Sequence, residues 1–166
     1  MTTPISTNIR LADKSQPKTE SVSAILKRCS TSLVADWLTR TKQCGDLNHL
    51  HLSDEERTGH LPKLVEDLIV RLNKPEKPNK DNHAVASPAA IAHGELRHKQ
   101  GYSSAMLIDE SRLLQVTIFG TLHKNVNALD FALLLPDVMI IADEVDAQLT
   151  QTVISFMKIA DRTAVA

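Results

Sequence analysis

The chain has 166 residues and a mass of 18.3 kDa, enough for one domain with a sizeable core and short tails. A formal net charge of −1 and a pI of about 6.6 argue against nucleic-acid binding, which requires a basic face. Only 3% of the residues are aromatic, which disfavours binding of single strands by base stacking. No apolar run reaches the ~20 residues of a membrane span, and no signal-peptide pattern opens the chain, so we expect a cytoplasmic, reduced protein.

The N-terminal part of the sequence changes character at Ser21. Residues 1–20 are polar and lack a helical period, which predicts a disordered tail. From Ser21 to Trp37 apolar residues recur at steps of three and four, which is typical of an amphipathic helix. We expect this first helix to end near Cys44, because Gly45 can adopt a left-handed capping conformation.

The second helical segment has the strongest start signal in the chain. Ser53 and Glu56 form a capping box, in which each side chain bonds the other residue's backbone N–H. An apolar face continues to Leu72, and Pro62 within it predicts a kink or a division into a short and a longer helix. Residues 73–82 are charged and contain proline, which predicts an exposed loop.

A third and a fourth helix follow this loop. Ser87 and Pro88 place a cap before a first-turn proline, and Gly101 marks the end of the third helix. Ser103 or Ser104 caps the fourth helix. Its apolar residues spread widely around the helix and predict central burial; they include Leu107, Leu114, Ile118, Ile108, Val116 and Phe119.

A fifth helix is predicted over residues 136–160. Its apolar seam is nearly heptad-like, which favours pairing with the same helix of a second chain. The residues assigned to this dimer helix are Val138, Ile141, Val145, Leu149 and Phe156. Since no segment has a convincing period of two, the sequence predicts an all-α domain of about five helices over residues 21–160.

The stretch "AHGELRHKQGY", residues 92–102, resembles a histidine-kinase phosphoacceptor box at first sight. In that box an acid directly follows the histidine, whereas here Gly94 intervenes and Glu95 lies about 200° around the helix from His93. A metal site is equally disfavoured, because His93 and His98 are about 140° apart on a helix. An axial haem ligand stays open, since any helical histidine beside an apolar cavity could serve.

The i, i+4 spacing places His93 and Arg97 on one helical face, with Gln100 one turn further. A buried arginine requires a carboxylate partner, and Glu110 lies two turns into the next predicted helix. We therefore predict a polar network of His93, Arg97, Gln100 and Glu110 that crosses the third and fourth helices. It either stabilises the fold, or binds a small anion, or changes state on protonation.

The same residues carry a resemblance to a known family. "AHGELRHKQGYSSAMLIDESRLLQVTIF", residues 92–119, resembles the pattern His-Gly-x-x-Arg-x-x-Gln-Gly-(Tyr)…Leu-x-x-Glu-x-x-x-Leu. This pattern belongs to the RsbR-type (RsbRD) N-terminal domain of stressosome proteins and of certain bacterial sensor histidine kinases. "LSDEERTGHLPKLVEDLIVRL", residues 52–72, and "CSTSLVADWLTR", residues 29–40, are similar to that family's second and first helices.

The resemblance covers about residues 22–160 and implies a globin-like fold without haem. It also implies a homodimer that acts as a non-catalytic input module for a C-terminal output domain, with residues 161–166 as a tail or linker to it. The residues that match the motif are His93, Gly94, Arg97, Gln100, Gly101 and Glu110. We expect no metal and no cofactor. A phosphotransfer protein that uses His93 and a sensor that binds haem or a small ligand are the alternatives.

Overall fold

The computed structural model describes residues 19–74 and 87–164 and is all-α, as predicted. Its helices are α1 (Val22–Arg28), α2 (Ser30–Gln43), α3 (Gly45–Asn48), α4 (Asp54–Thr58), α5 (Leu61–Leu72), α6 (Pro88–Lys99), α7 (Ser104–Lys124) and α8 (Phe131–Ala164), with a 3₁₀ turn at Val126–Ala128. In the described ranges the only β-type pairing is an isolated bridge between Glu20 and Leu129. The described ranges hold more helices than the roughly five predicted, because both of the first two predicted segments are divided and the short α3 lies between them.

The first predicted helix is interrupted at Cys29, where φ is −95° and ψ is 7°. This turn separates α1 from α2, and α2 ends at Gln43 with Cys44 as its cap, close to the predicted end. Gly45 does not adopt the predicted left-handed conformation, because Gly101 alone among the described residues has a positive φ. Gly45 instead begins the short helix α3.

The second predicted helix starts and divides as its sequence indicates. Ser53 Oγ accepts from the Glu56 N–H at 3.2 Å, and Glu56 Oε2 accepts from the Ser53 N–H at 2.8 Å, which confirms the capping box. Pro62 lies in the first turn of α5, where its missing N–H is not required. The division into α4 and α5 is therefore confirmed.

Both serine caps are present at the starts of α6 and α7. Ser87 Oγ accepts from Ala90 N–H at 3.1 Å, and Ser103, rather than Ser104, caps α7. The predicted burial of α7 is narrower than its apolar pattern indicated, since Ile108 and Val116 are 55% and 40% exposed. The buried side of α7 is a single stripe made of Leu107, Glu110, Leu113, Leu114, Thr117, Ile118, Thr121 and Leu122.

The last helix, α8, is longer at both ends than predicted. It begins at Phe131 after Asp130, whose carboxylate accepts from the Ala132 N–H at 3.0 Å, and it includes Pro136. It continues to Ala164, so residues 161–164, which were predicted as a tail or a linker, are part of this helix, and residues 165–166 lie outside the described residues.

The N-terminal tail also differs from its prediction at its last residue. Glu20 N–H donates to the Ala128 carbonyl at 2.7 Å, and Asp130 N–H donates to the Glu20 carbonyl at 3.2 Å. Two backbone bonds therefore hold Glu20 against the α7–α8 connection. The rest of the predicted tail, residues 1–18, and most of the predicted loop, residues 75–82, lie outside the described residues.

Most of the predicted dimer seam of α8 is part of this chain's own core. Ile141, Val145 and Phe156 are only 0%, 3% and 8% exposed, and the partly buried Leu149 packs against them. For these four residues the assignment to a dimer interface is wrong, because the same apolar spacing serves packing within one chain. Val138 is partly buried, and its assignment stays a prediction. α8 packs chiefly against α6 and also against α7 and α5.

The core that these helices enclose runs from α1 to α8 and includes the single tryptophan. Its most enclosed apolar side chains are Val22, Ile25, Leu26, Leu33, Trp37, Leu47, Leu61, Leu68, Leu107, Ile118 and Ile141. A globin-like arrangement of the helices stays a prediction. Within the described ranges, no helix combines the length and apolar character needed to cross a bilayer.

Candidate functional site

The turn between α6 and α7 fixes the geometry of the candidate site. Gly101 has a φ of 79°, a left-handed conformation that glycine adopts without strain. Its N–H donates to the His98 carbonyl, and the Tyr102 N–H donates to the Arg97 carbonyl, both at 3.1 Å. This pair of bonds is a Schellman motif, and it places Tyr102 directly beside Arg97.

Arg97 and Glu110 form an enclosed ion pair at the centre of the site. Arg97 is 0% exposed and Glu110 is 4% exposed. Arg97 Nη2 donates to Glu110 Oε1 at 2.7 Å, and Nε donates to Oε2 at 3.1 Å. Burial alone would raise the pKa of Glu110, but the contact with His93 and the Arg97 charge outweigh it and hold that pKa below its usual range. The carboxyl is therefore ionised.

The remaining donors of Arg97 join α6 to α4. Nη1 donates to the Glu56 carbonyl at 3.1 Å and Nη2 to the Arg57 carbonyl at 2.8 Å. These carbonyls belong to the C-terminal part of α4, where a cation is favoured by the helix dipole. Nη1 also donates to Gln100 Oε1 at 2.6 Å.

Tyr102 is a member of the network that we did not assign from the sequence. Its hydroxyl donates to Glu110 Oε1 at 2.9 Å, and Arg97 Cζ lies 4.6 Å above its ring. Burial and the neighbouring carboxylate raise the pKa of Tyr102, so the hydroxyl keeps its proton and acts as a donor. The sequence signal was available, because Tyr102 follows Gly101 directly and the turn brings it back to the preceding helix.

Two histidines complete the cluster, and one of them comes from an unexpected place. His93 is 7% exposed, and its Nε2 lies 3.3 Å from Glu110 Oε2. His60, at the junction of α4 and α5, stacks on His93 with ring centroids 3.9 Å apart and planes inclined by 14°. Nothing in the local sequence linked His60 to residues more than thirty positions away, so it could not be predicted.

His93 also has an unsatisfied ring nitrogen. Its Nδ1 is buried and has no hydrogen-bond partner among the described residues. Since Nε2 faces a carboxylate, the tautomer that carries its proton on Nε2 satisfies that contact, and it leaves Nδ1 as a bare acceptor.

A small cavity of about 30 Å³ lies beside the two histidines. Its wall is built from α2, α5, α6, α7 and α8 and consists of Trp37, His60, Leu61, Leu64, His93, Leu107, Glu110, Ser111, Leu114, Val145, Gln148, Leu149 and Thr152. This volume has room for one or two water molecules, whereas pockets for drug-sized ligands measure about 300 Å³ or more. Because residues of α8 line the same cavity as His60, His93 and Glu110, the charged cluster and α8 meet there.

Gly94 provides a second connection between the site and α8. A Cβ at this position would overlap Ser155 Oγ and the Thr152 carbonyl, so only glycine allows the helices to approach this closely. Thr152 Oγ1 donates to the Ala90 carbonyl at 3.1 Å, and Ser155 Oγ donates to the Ile91 carbonyl at 2.9 Å. α6 and α8 are thus in direct backbone contact at this point.

His60, His93 and Glu110 each offer a ligand atom, and these atoms lie within 4.8 Å of one another. The arrangement nevertheless fits a divalent metal poorly. A metal binds in the plane of an imidazole ring at about 2.0–2.1 Å from nitrogen, and the nearly parallel His60 and His93 planes do not converge on such a point. The Glu110 carboxylate is also already neutralised by Arg97.

The structure thus brings together the four residues of the predicted network: His93, Arg97, Gln100 and Glu110. His98, which lies on another side of α6, instead contacts the Phe156 ring edge-on at 5.2 Å. The motif glycines have separate tasks, since Gly94 allows close packing and Gly101 forms the turn. Comparison with family models, curated proteins and solved structures finds no match to this chain.

Proposed function

We propose that this protein is a non-catalytic sensory or regulatory input domain that passes a signal through its C-terminal helix. The proposed class is the input domain of a cytoplasmic bacterial signalling protein, such as a stressosome protein or a sensor histidine kinase. The observation that carries the proposal is the contact between a buried ionisable cluster and α8, made through the cavity and through Gly94.

The composition of the cluster favours a regulatory role over a purely structural one. A buried ion pair adds little net stability compared with well-packed apolar residues, because desolvation of both charges offsets their attraction. Ionisable groups do give a region discrete charge states, and each state favours a different packing. His60, His93 and Glu110 supply three such groups at one point of the core.

The position of the cluster explains how a change there would reach an output domain. Val145, Gln148 and Leu149 line the cavity from α8, and Thr152 and Ser155 bond to α6 one turn later. A packing change around Glu110 therefore acts on the middle of a 34-residue helix. Because that helix is continuous to Ala164, it carries the change along its length as a rotation or a tilt.

We further propose that the domain is a homodimer, with an interface different from the seam predicted from the sequence. Phe131, Leu133, Leu135 and Met139, in the first part of α8, are 63%, 51%, 70% and 57% exposed. A group of exposed large apolar side chains on one helix is typical of an interaction surface. A second copy of α8 that packs in parallel against the face of Phe131, Leu135 and Met139 would cover these three residues and would place the C-terminal ends of the two helices side by side.

The alternative functions agree less well with the geometry. A phosphoacceptor must present a ring nitrogen to an incoming phosphoryl group, whereas His93 is 7% exposed and faces Glu110. A haem or other small ligand would need far more room than the 30 Å³ beside the histidines.

The proposal is tested by measuring the distance between the two α8 helices of a dimer. A spin label at Lys158→Cys, with Cys29 and Cys44 replaced by serine, reports this distance by pulsed electron resonance. Tyr102→Phe removes one hydrogen bond from Glu110 and is expected to shift the distance distribution. Thr39→Val, which removes an exposed hydroxyl on α2, is the control and should leave it unchanged. Absence of any intermolecular distance, or identical distributions for all three proteins, would overturn the proposal.

A further inference from the structure

The ring of His60 lies in an enclosed environment in which a positive charge on it would be unfavourable. It stacks on His93, and Trp37 contacts it edge-on with centroids 6.0 Å apart. The residue is partly exposed at the α4–α5 junction, but the ring is enclosed by the cluster. Burial, followed by the electrostatic effects of His93 and Arg97, lowers the pKa of His60 well below its usual 6.5. The ring is therefore neutral at neutral pH.

The contacts of His60 favour this neutral form. Arg97 Nη2 lies 3.4 Å from His60 Nδ1, and its two hydrogens also bond Glu110 Oε1 and the Arg57 carbonyl, so this contact is a shared one. Since a guanidinium has only donors, the tautomer that suits the contact accepts at Nδ1 and carries its ring proton on Nε2. Protonation of Nδ1 would turn this contact into two opposed donors and would place an imidazolium beside a guanidinium. Both changes repel.

The anion that faces His60 is Glu110, which lies within 4.8 Å of it and already shares its charge with Arg97 and His93. From α6 the ring faces His93 and Arg97, and from α7 it faces Glu110 across the cavity. Both oxygens of Glu110 are already occupied, Oε1 by Arg97 and Tyr102 and Oε2 by Arg97 and His93.

The elements on the remaining sides offer no anion. α2 presents Trp37, and α8 presents Val145, Gln148, Leu149 and Thr152, none of which is ionisable in this range. From α4, the Arg57 carbonyl is taken by Arg97, and the Arg57 guanidinium points to carbonyls at Leu47, Leu50 and Leu52. An imidazolium at position 60 would therefore be stable only in water.

We propose that His60 is a proton-operated latch: uptake of one proton from water at Nδ1 expels the ring from its stack on His93 into solvent and opens the adjoining cavity to α8. The latch rests on the proposed sensory function and names acidification as the signal for that site. His60 lies between α4 and α5, directly after Gly59, and is partly exposed, so its ring lies near solvent without being part of either helix.

The single tryptophan allows a direct test of the latch. Emission of Trp37 is recorded between pH 8 and pH 5, while far-ultraviolet circular dichroism verifies that the helices remain. When the imidazolium leaves, water reaches the indole, so we expect one red-shifting step with a midpoint below pH 6.5. His60→Gln should abolish the step, and His51→Gln, at an exposed histidine, should retain it.

Three results would overturn the latch. The first is a red-shifting step in Trp37 emission that persists in His60→Gln. The second is quenching of Trp37 without a red shift, which indicates that the ring is protonated in place. The third is a Trp37 emission spectrum that stays constant from pH 8 to pH 5. Ring nitrogen chemical shifts of the unmodified protein give an independent measure and must show His60 with its proton on Nε2 at pH 8. Zinc chloride added at pH 7.5 should leave the Trp37 emission unchanged. A change in emission would show that the site responds to a metal ion rather than to a proton, and would contradict the latch.

The same experiments distinguish the latch from the proposed function. A Trp37 step without any change in the distance between α8 helices contradicts transmission of a signal and leaves the latch in place. A constant Trp37 spectrum, combined with an α8 shift in Tyr102→Phe, contradicts the latch alone.

Discussion

Arg97 and Glu110 are joined inside the protein by two nearly parallel hydrogen bonds, at 2.7 Å and 3.1 Å. This pair connects α6 to α7, and the other donors of Arg97 reach α4 and Gln100. One side chain thus holds three helices in register. It also determines how the site responds when a partner is removed.

Arg97→Met is expected to lower the free energy of unfolding by about 3–5 kcal/mol, because it leaves the Glu110 charge buried without its partner. Urea denaturation measures this loss. Arg112→Met is the matched control, since Arg112 is 59% exposed and pairs with Asp109 at the surface, and it should cost less than about 1 kcal/mol. Equal losses in the two variants would contradict a central role for the buried pair. Replacing both partners, as Arg97→Met with Glu110→Leu, should restore part of the stability.

Gly94→Ala is expected to destabilise the protein strongly, because the new methyl group would overlap Ser155 Oγ and the Thr152 carbonyl. Gly120→Ala is a control at another helical glycine, where the nearest atom, Arg40 Nη2, is 3.7 Å from a built Cβ. The control should be neutral or stabilising by up to about 1 kcal/mol, since alanine favours a helix. Thermal unfolding compares them, and similar midpoints for both variants would show that α6 and α8 do not depend on this close approach.

Gly101→Ala should cost about 1–2 kcal/mol, because alanine is strained at a φ of 79°. The same change at Gly45, which has no atom within 4 Å of a built Cβ and no positive φ, should cost much less. Chemical denaturation measures both. A matching loss at the two sites would argue against the Schellman turn that holds Tyr102 against Glu110.

Acid should destabilise the fold in two separate windows. The pKa of His60 is lowered on folding, so the unfolded chain takes up the proton first, and stability falls as the pH drops below about 6.5. The slope from one proton is at most about 1.4 kcal/mol per pH unit. Glu110 also has a lowered pKa, so its contribution is complete above about 4.5 and is lost as the pH falls through its folded value.

Denaturation curves between pH 8 and pH 2 separate these two windows. His60→Gln should flatten the upper window and leave the lower one. A profile of the variant that parallels the wild type between pH 6.5 and pH 5 would show that His60 does not control stability there.

Leu135→Asp is expected to convert a dimer into an 18.3 kDa monomer that keeps its helices, because Leu135 is 70% exposed in a single chain. Val145→Asp should instead unfold the protein, since Val145 is 3% exposed in the core. Light scattering with circular dichroism distinguishes these outcomes. A wild-type chain that is monomeric at high concentration would contradict the dimer.

Local sequence signals were sufficient for much of the fold and part of the site. The caps at Ser53, Ser87 and Ser103 act within a few residues, so their patterns are readable from the chain alone. Arg97 and Glu110 could be paired from the sequence, because a buried guanidinium requires a carboxylate partner and few carboxylate residues lie near Arg97 in the chain.

The remaining features depend on tertiary packing, which the sequence does not display. His60 joins the site only because α5 lies against α6, and no local pattern connects it to His93. The spacing of Ile141 and Val145 indicated an apolar face of α8 but not whether this chain or a second one covers it. The end of α8 was missed because the apolar period fades before the helix does.

Amide hydrogen exchange along α8 tests most directly whether the buried network controls the C-terminal helix. Exchange is compared between the wild type and Glu110→Gln, under conditions where both are folded. If the network is coupled to α8, exchange in residues 145–155 should increase together with that in α6, while α1 stays protected. An increase confined to α6 and α7, with residues 145–155 unchanged, would contradict the coupling.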